Sequence, residues 1–112
     1  MTEHSPDTDS LQPLTAREVY QVLKDIALGT RRMRRITRQR WAQIRTGPMT
    51  LEVEGWTLVL YSHGGELDYV QSCQSPDGRR GDFASWQRYG TDPVSLLSIW
   101  EHNQLEKMLG EL

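Results

Sequence analysis

The spacing of hydrophobic residues changes twice along this chain of 112 residues, and these changes constrain its fold more than any other feature. Apolar residues recur at helical spacing between Val19 and Ala27, alternate with polar residues from Met49 onward, and return to helical spacing after Pro93. Alternation is typical of strands with one buried face, whereas a period of 3.6 residues is typical of an amphipathic helix. The sequence therefore predicts an α+β fold, with helices packed on one face of an antiparallel sheet.

The first helix has the clearest boundaries in the sequence. Thr15 is followed three residues later by Glu18, and this spacing predicts a capping box at the start of the helix. Gly29 comes directly after Leu28, where a glycine can adopt the left-handed conformation that ends many helices. We therefore predict a helix over residues 15–28.

The polar N-terminus is expected to precede one domain. Residues 1–13 are rich in Thr, Ser, Asp and Pro, and we predict that they form a disordered tail before a single domain at residues 14–112. The only cysteine, Cys73, excludes an internal disulfide and is typical of a reducing compartment. The chain has neither a signal-peptide pattern nor an apolar run near the ~20 residues of a transmembrane helix. We expect a soluble cytoplasmic protein without membrane contacts.

The alternating region is expected to form a meander. Two alternating runs flank Glu54–Gly55, which predicts a hairpin with a type I turn and Gly55 in a bulge, because glutamate disfavours a positive φ. A flexible loop is expected at residues 62–66, and a third strand over residues 67–74. Residues 79–83 follow a Pro-Asp-Gly turn and are expected to add a short edge strand. The predicted sheet therefore has three to four strands.

The charge of the chain is strongly polarised. Seven arginines and no acidic residue lie between Arg31 and Arg45, whereas the other residues hold six basic and fifteen acidic side chains. Such a block of one sign indicates a binding surface or an intramolecular partner of opposite sign. We expect Thr37 to cap a short helix through Ile44, or the segment to be a loop, with Trp41 and Ile44 facing inward.

We predict that this segment binds the partner of the protein, through Arg31, Arg32, Arg34, Arg35, Arg38, Arg40 and Trp41. The favoured partner is another protein, or a second copy of the chain, because the remaining residues carry a balance of −9 and would repel a polyanion. The isoelectric point near 5.9 is also unlike that of a dedicated nucleic-acid binder. The alternative is nucleic-acid binding through Arg31–Arg45, with arginines on phosphates and Trp41 stacked on an unpaired base.

Catalytic signatures are missing from the sequence. It contains no phosphate loop, no nucleophile elbow and no histidine or cysteine spacing typical of a metal site, so we expect no metal, no cofactor and no catalysis. A third hypothesis is a small enzyme built on Cys73 with His63 and Asp68. Strict alternation along the third strand argues against it, because Cys73 then shares a face with Leu67 and Tyr69, whereas Asp68 lies on the opposite face. A ligand pocket is the other form of this hypothesis, and its candidate residues are Tyr69, Trp86, Tyr89 and Trp100. These rings are alternatively explained as part of the core.

The last helix is predicted to begin at Asp92–Pro93, with proline in its first turn. Its apolar surface is wider than one sheet-facing stripe requires, and includes Val94, Leu96, Leu97, Ile99 and Trp100. We therefore expect that part of this surface packs against a second copy of the chain, in a homodimer or other self-associated form.

Five short segments resemble a bacterial family known as a domain of unknown function. They are Leu14–Tyr20, Val53–Trp56, Ser75–Arg79, Tyr89–Pro93 and Trp100–His102, and the resemblance covers about residues 14–110. The resemblance implies one bacterial cytoplasmic domain. It carries no known activity, so it transfers no catalytic residue to this chain.

Overall fold

The structure is a computed structural model that describes residues 12–112. In chain order its elements are helix α1 (Ala16–Ala27), strand β1 (Arg34–Arg35), a 3-10 turn (Trp41–Gln43), strands β2 (Thr46–Val53), β3 (Trp56–His63), β4 (Glu66–Gln74) and β5 (Arg80–Asp82), helix α2 (Phe83–Arg88), a second 3-10 turn (Val94–Leu96) and helix α3 (Ile99–Gly110). The strands form one antiparallel sheet in sequence order, which confirms the α+β prediction. The predicted count of three to four strands was too low because β1 consists of only two arginines and therefore shows no hydrophobic alternation.

Helix α1 starts as its sequence predicts. The hydroxyl of Thr15 accepts a hydrogen bond from the backbone N–H of Glu18 at 3.1 Å, and the Glu18 carboxylate accepts one from the N–H of Thr15 at 3.0 Å. The predicted capping box is therefore confirmed. Gly29 has a φ of 83° and follows the C-cap residue Leu28, as the left-handed helix end requires.

One core joins the two long helices to one face of the sheet. Its fully buried side chains come from α1, β2, β3, β4 and α3, and include Val19, Leu23, Leu51, Leu58, Val70, Leu105 and Leu109. Burial of a leucine of this kind contributes about 2 kcal/mol of transfer free energy. The opposite face of the sheet carries the aromatic side chains of Tyr61 and Tyr69.

The hairpin between β2 and β3 corrects one prediction. Its loop has two residues, Glu54 with φ 50° and Gly55 with φ 94°, so both lie in the left-handed region and the turn is not type I. A two-residue loop favours this conformation because it matches the twist of the strands. Glutamate is held there by polar contacts: the Glu54 carboxylate accepts the N–H of Arg32 at 3.2 Å, and Glu52 accepts that of Gly55 at 3.3 Å.

The region predicted as a flexible loop, residues 62–66, is a second tight hairpin. Strand β3 continues to His63 and β4 begins at Glu66, which leaves only Gly64 and Gly65 in the turn. Both glycines have a positive φ, 63° and 90°, which explains why a two-residue connection is possible here.

Strand β4 departs from strict alternation because its pairing with β3 shifts register twice. Each bulge places one extra residue in the strand and reverses the direction of the side chains that follow. Buried residues therefore recur at Leu67, Val70 and Cys73, three positions apart. Tyr69 lies on the open face of the sheet, so the prediction that it shares a face with Cys73 is wrong.

The predicted helix capped by Thr37 does not form. The chain instead adds β1 to the sheet edge, and the hydroxyl of Thr37 accepts the N–H of Thr50 in β2 at 2.7 Å. Pairing with the sheet satisfies backbone groups of β2 that a helix would leave exposed. Trp41 and Ile44 are both buried, as predicted.

The last helix begins later than predicted. The Asp92 carboxylate caps the second 3-10 turn, and Leu97 then adopts an extended conformation with ψ 142°. Helix α3 starts after Ser98, which forms a second capping box with Glu101. The proline at 93 therefore belongs to the short turn and not to the helix.

Helix α2 was not predicted, and it anchors the N-terminal segment. The indole N–H of Trp86 donates to the carbonyl of Leu14 at 2.9 Å, while the N–H of Leu14 donates to the carbonyl of Arg80 at 2.8 Å. This segment thus covers the outer edge of β5 and leaves less of that edge open to pairing. The tail predicted for residues 1–13 lies, up to residue 11, outside the described residues.

Candidate functional site

The arginine segment runs along the outer edge of β2 and pairs with it through β1. Arg31 and Arg34, at its start, pair with acidic residues of the same fold. The Arg31 Nε lies 3.1 Å from Asp25 Oδ2, its Nη1 lies 3.8 Å from Glu54 Oε1, and the Arg34 Nη2 lies 2.6 Å from Glu52 Oε1. Hydrogen bonding to Arg34 holds the pKa of Glu52 below its ordinary value. These two arginines therefore already have acidic partners within the same chain.

Arg35 shapes the loop that follows. Its Nη1 donates to the carbonyls of Thr37 and Arg38, and its buried Nε has no hydrogen-bond partner within residues 12–112. Because a guanidinium that bonds two adjacent backbone carbonyls restricts both, Arg35 holds the loop in one conformation. Its role is to position the segment.

Trp41 ties the same segment to the hairpin between β3 and β4. It is only 2% exposed, and its indole N–H donates to the carbonyl of Gly65 at 2.9 Å. On the same turn, the N–H of Gly64 donates to the carbonyl of Arg45. The ring of Trp41 is therefore a core contact and does not offer a surface on which a base could stack.

We define the arginine surface as the exposed side chains Ile36, Arg38, Arg40 and Arg45. Ile36 is 50% exposed, and Arg40 donates through Nε to the carbonyl of Leu112 at 3.2 Å. Within residues 12–112, no aspartate or glutamate carboxylate lies within 4.0 Å of the three arginine side chains of this surface. Arg32 is also exposed, but it lies at the opposite end of the edge, beside Glu54.

An acidic cleft lies beside this surface. It has a volume of about 350 Å³ and is lined by His63, Glu66, Leu67, Asp68, Asp92, Val94, Ser95 and His102. Among the described residues, no lysine or arginine nitrogen lies within 4.0 Å of a carboxylate of this cleft. The described residues also contain no cluster of histidine, cysteine and acidic side chains that could hold a metal ion.

Helix α3 fixes one wall of the acidic cleft through the backbone of Leu67. The His102 Nε2 lies 2.9 Å from the carbonyl oxygen of Leu67, and the Glu106 carboxylate accepts the N–H of Leu67 at 2.8 Å. His102 and Glu106 are themselves 3.6 Å apart. Two side chains one helical turn apart thus bind both polar groups of one strand residue, which holds the cleft in shape.

The four aromatic residues predicted for a pocket do not meet in one place. Trp86 and Tyr89 line a groove of about 550 Å³ together with Leu14, Ala16 and Leu96. Tyr69 stacks on Tyr61 on the open face of the sheet, at 4.9 Å between ring centroids. Trp100 is exposed on the first turn of α3.

Cys73 is a buried residue far from the other groups of the proposed thiol triad. It pairs with Leu58 in the sheet, whereas His63 pairs with Glu66 at the opposite end of the same hairpin. Burial raises the pKa of the Cys73 thiol to about 12, so the reactive thiolate is scarce at neutral pH. The structure does not assemble this triad.

The acidic cleft was not recognised from the sequence. Its carboxylates at Glu66 and Asp68 lie in β4, whereas Asp92 lies far along the chain, and the bulge at Asp68 changes the direction of the side chains in β4. The available signal was the Gly64–Gly65 pair, since a two-residue turn brings the ends of both flanking strands together.

Among the described residues, no helix combines the length and hydrophobicity that a membrane crossing requires.

Comparison with known proteins identifies the family of this chain. Neither the curated proteins nor the solved structures include a significant match to this chain. A family model does match, over residues 13–111. The chain therefore belongs to the family described as Domain of unknown function (DUF7693).

Proposed function

We propose that this domain is a non-catalytic protein-binding module, which recognises an acidic protein surface through its arginine surface. The observation that carries this proposal is that Arg38, Arg40 and Arg45 are exposed and have no aspartate or glutamate carboxylate within 4.0 Å in residues 12–112. Arginine is enriched at protein interfaces because its planar guanidinium pairs with carboxylates in two parallel hydrogen bonds. We also propose a cytoplasmic location, supported by the single free cysteine, and a bacterial source, supported by the sequence resemblance.

The backbone below these arginines is held in place before any partner arrives. Hydrogen bonds from Arg35 to the following loop, from Thr50 to Thr37, and from Trp41 to Gly65 fix it at three points. A preorganised loop loses less conformational entropy on binding than a mobile one. This arrangement supports a role in recognition.

Two features favour an acidic protein over a nucleic acid. The Trp41 ring is buried and cannot stack on a base. Ile36 is half exposed among the arginines and adds apolar area, which is typical of protein interfaces.

Binding of fluorescent ligands tests this proposal. A peptide of alternating glutamate and leucine is compared with single-stranded and duplex oligonucleotides of the same net charge, by fluorescence anisotropy at an ionic strength of about 0.15 M. We expect the peptide to bind more tightly than either oligonucleotide. The variant Arg38→Glu with Arg45→Glu should weaken peptide binding at least about tenfold, because like charges would then face each other.

The matched control is Arg88→Glu, which reverses an exposed arginine on α2, next to the other edge of the sheet. It should bind the peptide as the unmodified protein does, and circular dichroism should show the same fold for all variants. Submicromolar binding of an oligonucleotide that the double variant loses would instead establish the nucleic-acid alternative. Equal peptide binding by the double variant would exclude the arginine surface.

A further inference from the structure

We infer that the acidic protein surface recognised by the arginine surface is the acidic cleft of a second copy of this chain, related by a two-fold axis. This inference rests on the proposed function, because it names the partner of the same site. It uses three observations: the two surfaces share a border, their charges are uncompensated within the described residues, and exposed apolar side chains accompany both.

The shared border is the turn at Gly64–Gly65. On one side of it, the carbonyl of Gly65 accepts the indole N–H of Trp41, and the N–H of Gly64 donates to the carbonyl of Arg45. On the other side, His63 and Glu66 form the first pair of the hairpin and line the acidic cleft. The Arg45 end of the arginine surface therefore lies next to the acidic cleft.

Two neighbouring surfaces of opposite charge suit a two-fold interface. In such an interface each contact occurs twice, because residue i of one copy meets residue j of the other and the reverse. A two-fold axis along the border would set the arginine surface of each copy against the acidic cleft of the other. A two-fold axis across the border would instead set like charges against each other, which disfavours that arrangement.

Within residues 12–112, the charged side chains of the arginine surface lack acidic side-chain partners, and the carboxylates of the acidic cleft lack lysine or arginine partners. Among the described residues, no aspartate or glutamate oxygen lies within 4.0 Å of Arg38, Arg40 or Arg45, and no lysine or arginine nitrogen lies that close to Glu66, Asp68 or Asp92. The chain as a whole is nearly balanced, with a formal charge of −2. A second copy therefore supplies the charges that each surface lacks.

Apolar side chains accompany both surfaces. Ile99 and Trp100 are 82% and 57% exposed on the first turn of α3, and Ile99 lies one helical turn before His102, which lines the acidic cleft. Ile36 is exposed in the arginine surface. Since exposed ion pairs alone add little affinity, burial of these side chains would supply the apolar contribution that a stable interface needs.

Sedimentation equilibrium of the full chain tests this inference. We expect a monomer–dimer equilibrium at an ionic strength of about 0.15 M that shifts toward monomer at about 1 M, where the Debye length falls from about 8 Å to about 3 Å. The variant Arg38→Glu with Arg45→Glu should raise the dissociation constant at least about tenfold, and so should Glu66→Arg with Asp68→Arg. Arg88→Glu is the control and should dimerise normally.

Recombination of these variants makes the test specific. When the two double variants are mixed, two predominantly acidic surfaces of one variant meet two predominantly basic surfaces of the other, and a heterodimer should form although neither variant dimerises alone. The chain that carries all four substitutions should dimerise again. Recovery in both experiments supports the two-fold contact of these two surfaces, because a nonspecific loss of structure would not be repaired by a second substitution.

Several results would overturn the inference. These are a monomer at concentrations up to about 100 µM, a dimer unaffected by either reversal, oligomers larger than two, or no heterodimer in the mixture. A monomer that still binds the acidic peptide through Arg38 and Arg45 would defeat this inference and leave the proposed function standing. A chain that neither dimerises nor binds the peptide would defeat both.

Discussion

The guanidinium of Arg79 binds both carboxylate oxygens of Glu18, with Nη1 2.8 Å from Oε2 and Nη2 2.9 Å from Oε1. Arg79 also donates to the backbone carbonyls of Gln12 and Pro13. Glu18 is at the same time the acidic partner in the capping box of α1. One ion pair thus joins the turn before β5, the first turn of α1 and the segment that leads into it.

This ion pair predicts a pH-dependent contribution to stability. Hydrogen bonds from Arg79 and from the backbone N–H of Thr15 hold the pKa of Glu18 below its ordinary value of 4.5. A carboxyl group whose pKa is lowered by folding stabilises the protein above its unfolded pKa, and this stabilisation is lost as the pH falls through the folded pKa. Arg79→Gln should therefore lower Tm clearly at pH 7, and by progressively less below about pH 4.5.

Thermal melts over a range of pH, followed by circular dichroism, measure this difference. Arg88→Gln removes an exposed arginine elsewhere and should leave Tm nearly unchanged at every pH. A Tm difference for Arg79→Gln that stays constant down to pH 3 would mean that Arg79 acts through its contacts with Gln12 and Pro13 alone.

The capping box of α1 predicts the effect of removing one hydroxyl group. Thr15→Ala should lower the free energy of unfolding by about 1 kcal/mol, because the N–H of Glu18 then loses its partner. Thr15→Ser keeps an accepting hydroxyl and serves as the control, with a smaller loss. Urea unfolding measures both values, and equal losses for the two variants would show that the methyl group of Thr15 matters more than its hydroxyl.

Position 81 has no room for a side chain larger than that of glycine. A Cβ at this position would lie 2.8 Å from Trp86 Cζ2 and 2.9 Å from the carbonyl oxygen of Leu14. Gly81→Ala should therefore cost about 1–3 kcal/mol of stability through overpacking, and should loosen the contact between Leu14 and Trp86. Gly110→Ala, where a Cβ meets nothing within 4 Å, should be neutral or slightly stabilising.

Quenching of Trp86 fluorescence, together with urea unfolding, follows both effects of Gly81→Ala. Substitution to phenylalanine of the other three tryptophans, at positions 41, 56 and 100, isolates the signal of Trp86. Unchanged stability in Gly81→Ala would show that the N-terminal segment moves aside at little cost.

The burial of Cys73 predicts a slow thiol. Because its pKa is raised to about 12 and its side chain is 3% exposed, a disulfide reagent should label it slowly at pH 7 in the native protein and rapidly in denaturant. Absorbance of the released thiolate measures both rates. Fast labelling under native conditions would contradict the buried position and revive the hypothesis of a thiol enzyme.

Local features of the fold could be predicted from the sequence because they depend on neighbouring residues. The spacing of Thr15 and Glu18 sets the start of α1, and alternation after Met49 sets the strands. One prediction failed because a distant partner decided the outcome: Thr37 caps no helix because its hydroxyl accepts a hydrogen bond from Thr50 in β2. The start of the last helix was missed for a local reason, since Asp92 caps a shorter turn first and the helix begins only at Ile99.

For the candidate site too, some features could be predicted from the sequence and others depend on the tertiary structure. By itself, the sequence determined that an arginine-rich segment would stand against an acidic remainder, since charge is a property of composition and position along the chain. Only the tertiary structure decided which arginines stay exposed. Antiparallel pairing of β1 with β2 brings Arg34 to Glu52, whereas the turn at Gly64–Gly65 sets Arg45 beside the acidic cleft with no acidic partner in residues 12–112. These contacts join residues far apart in sequence, so they depend on strand order and register, which local spacing does not encode.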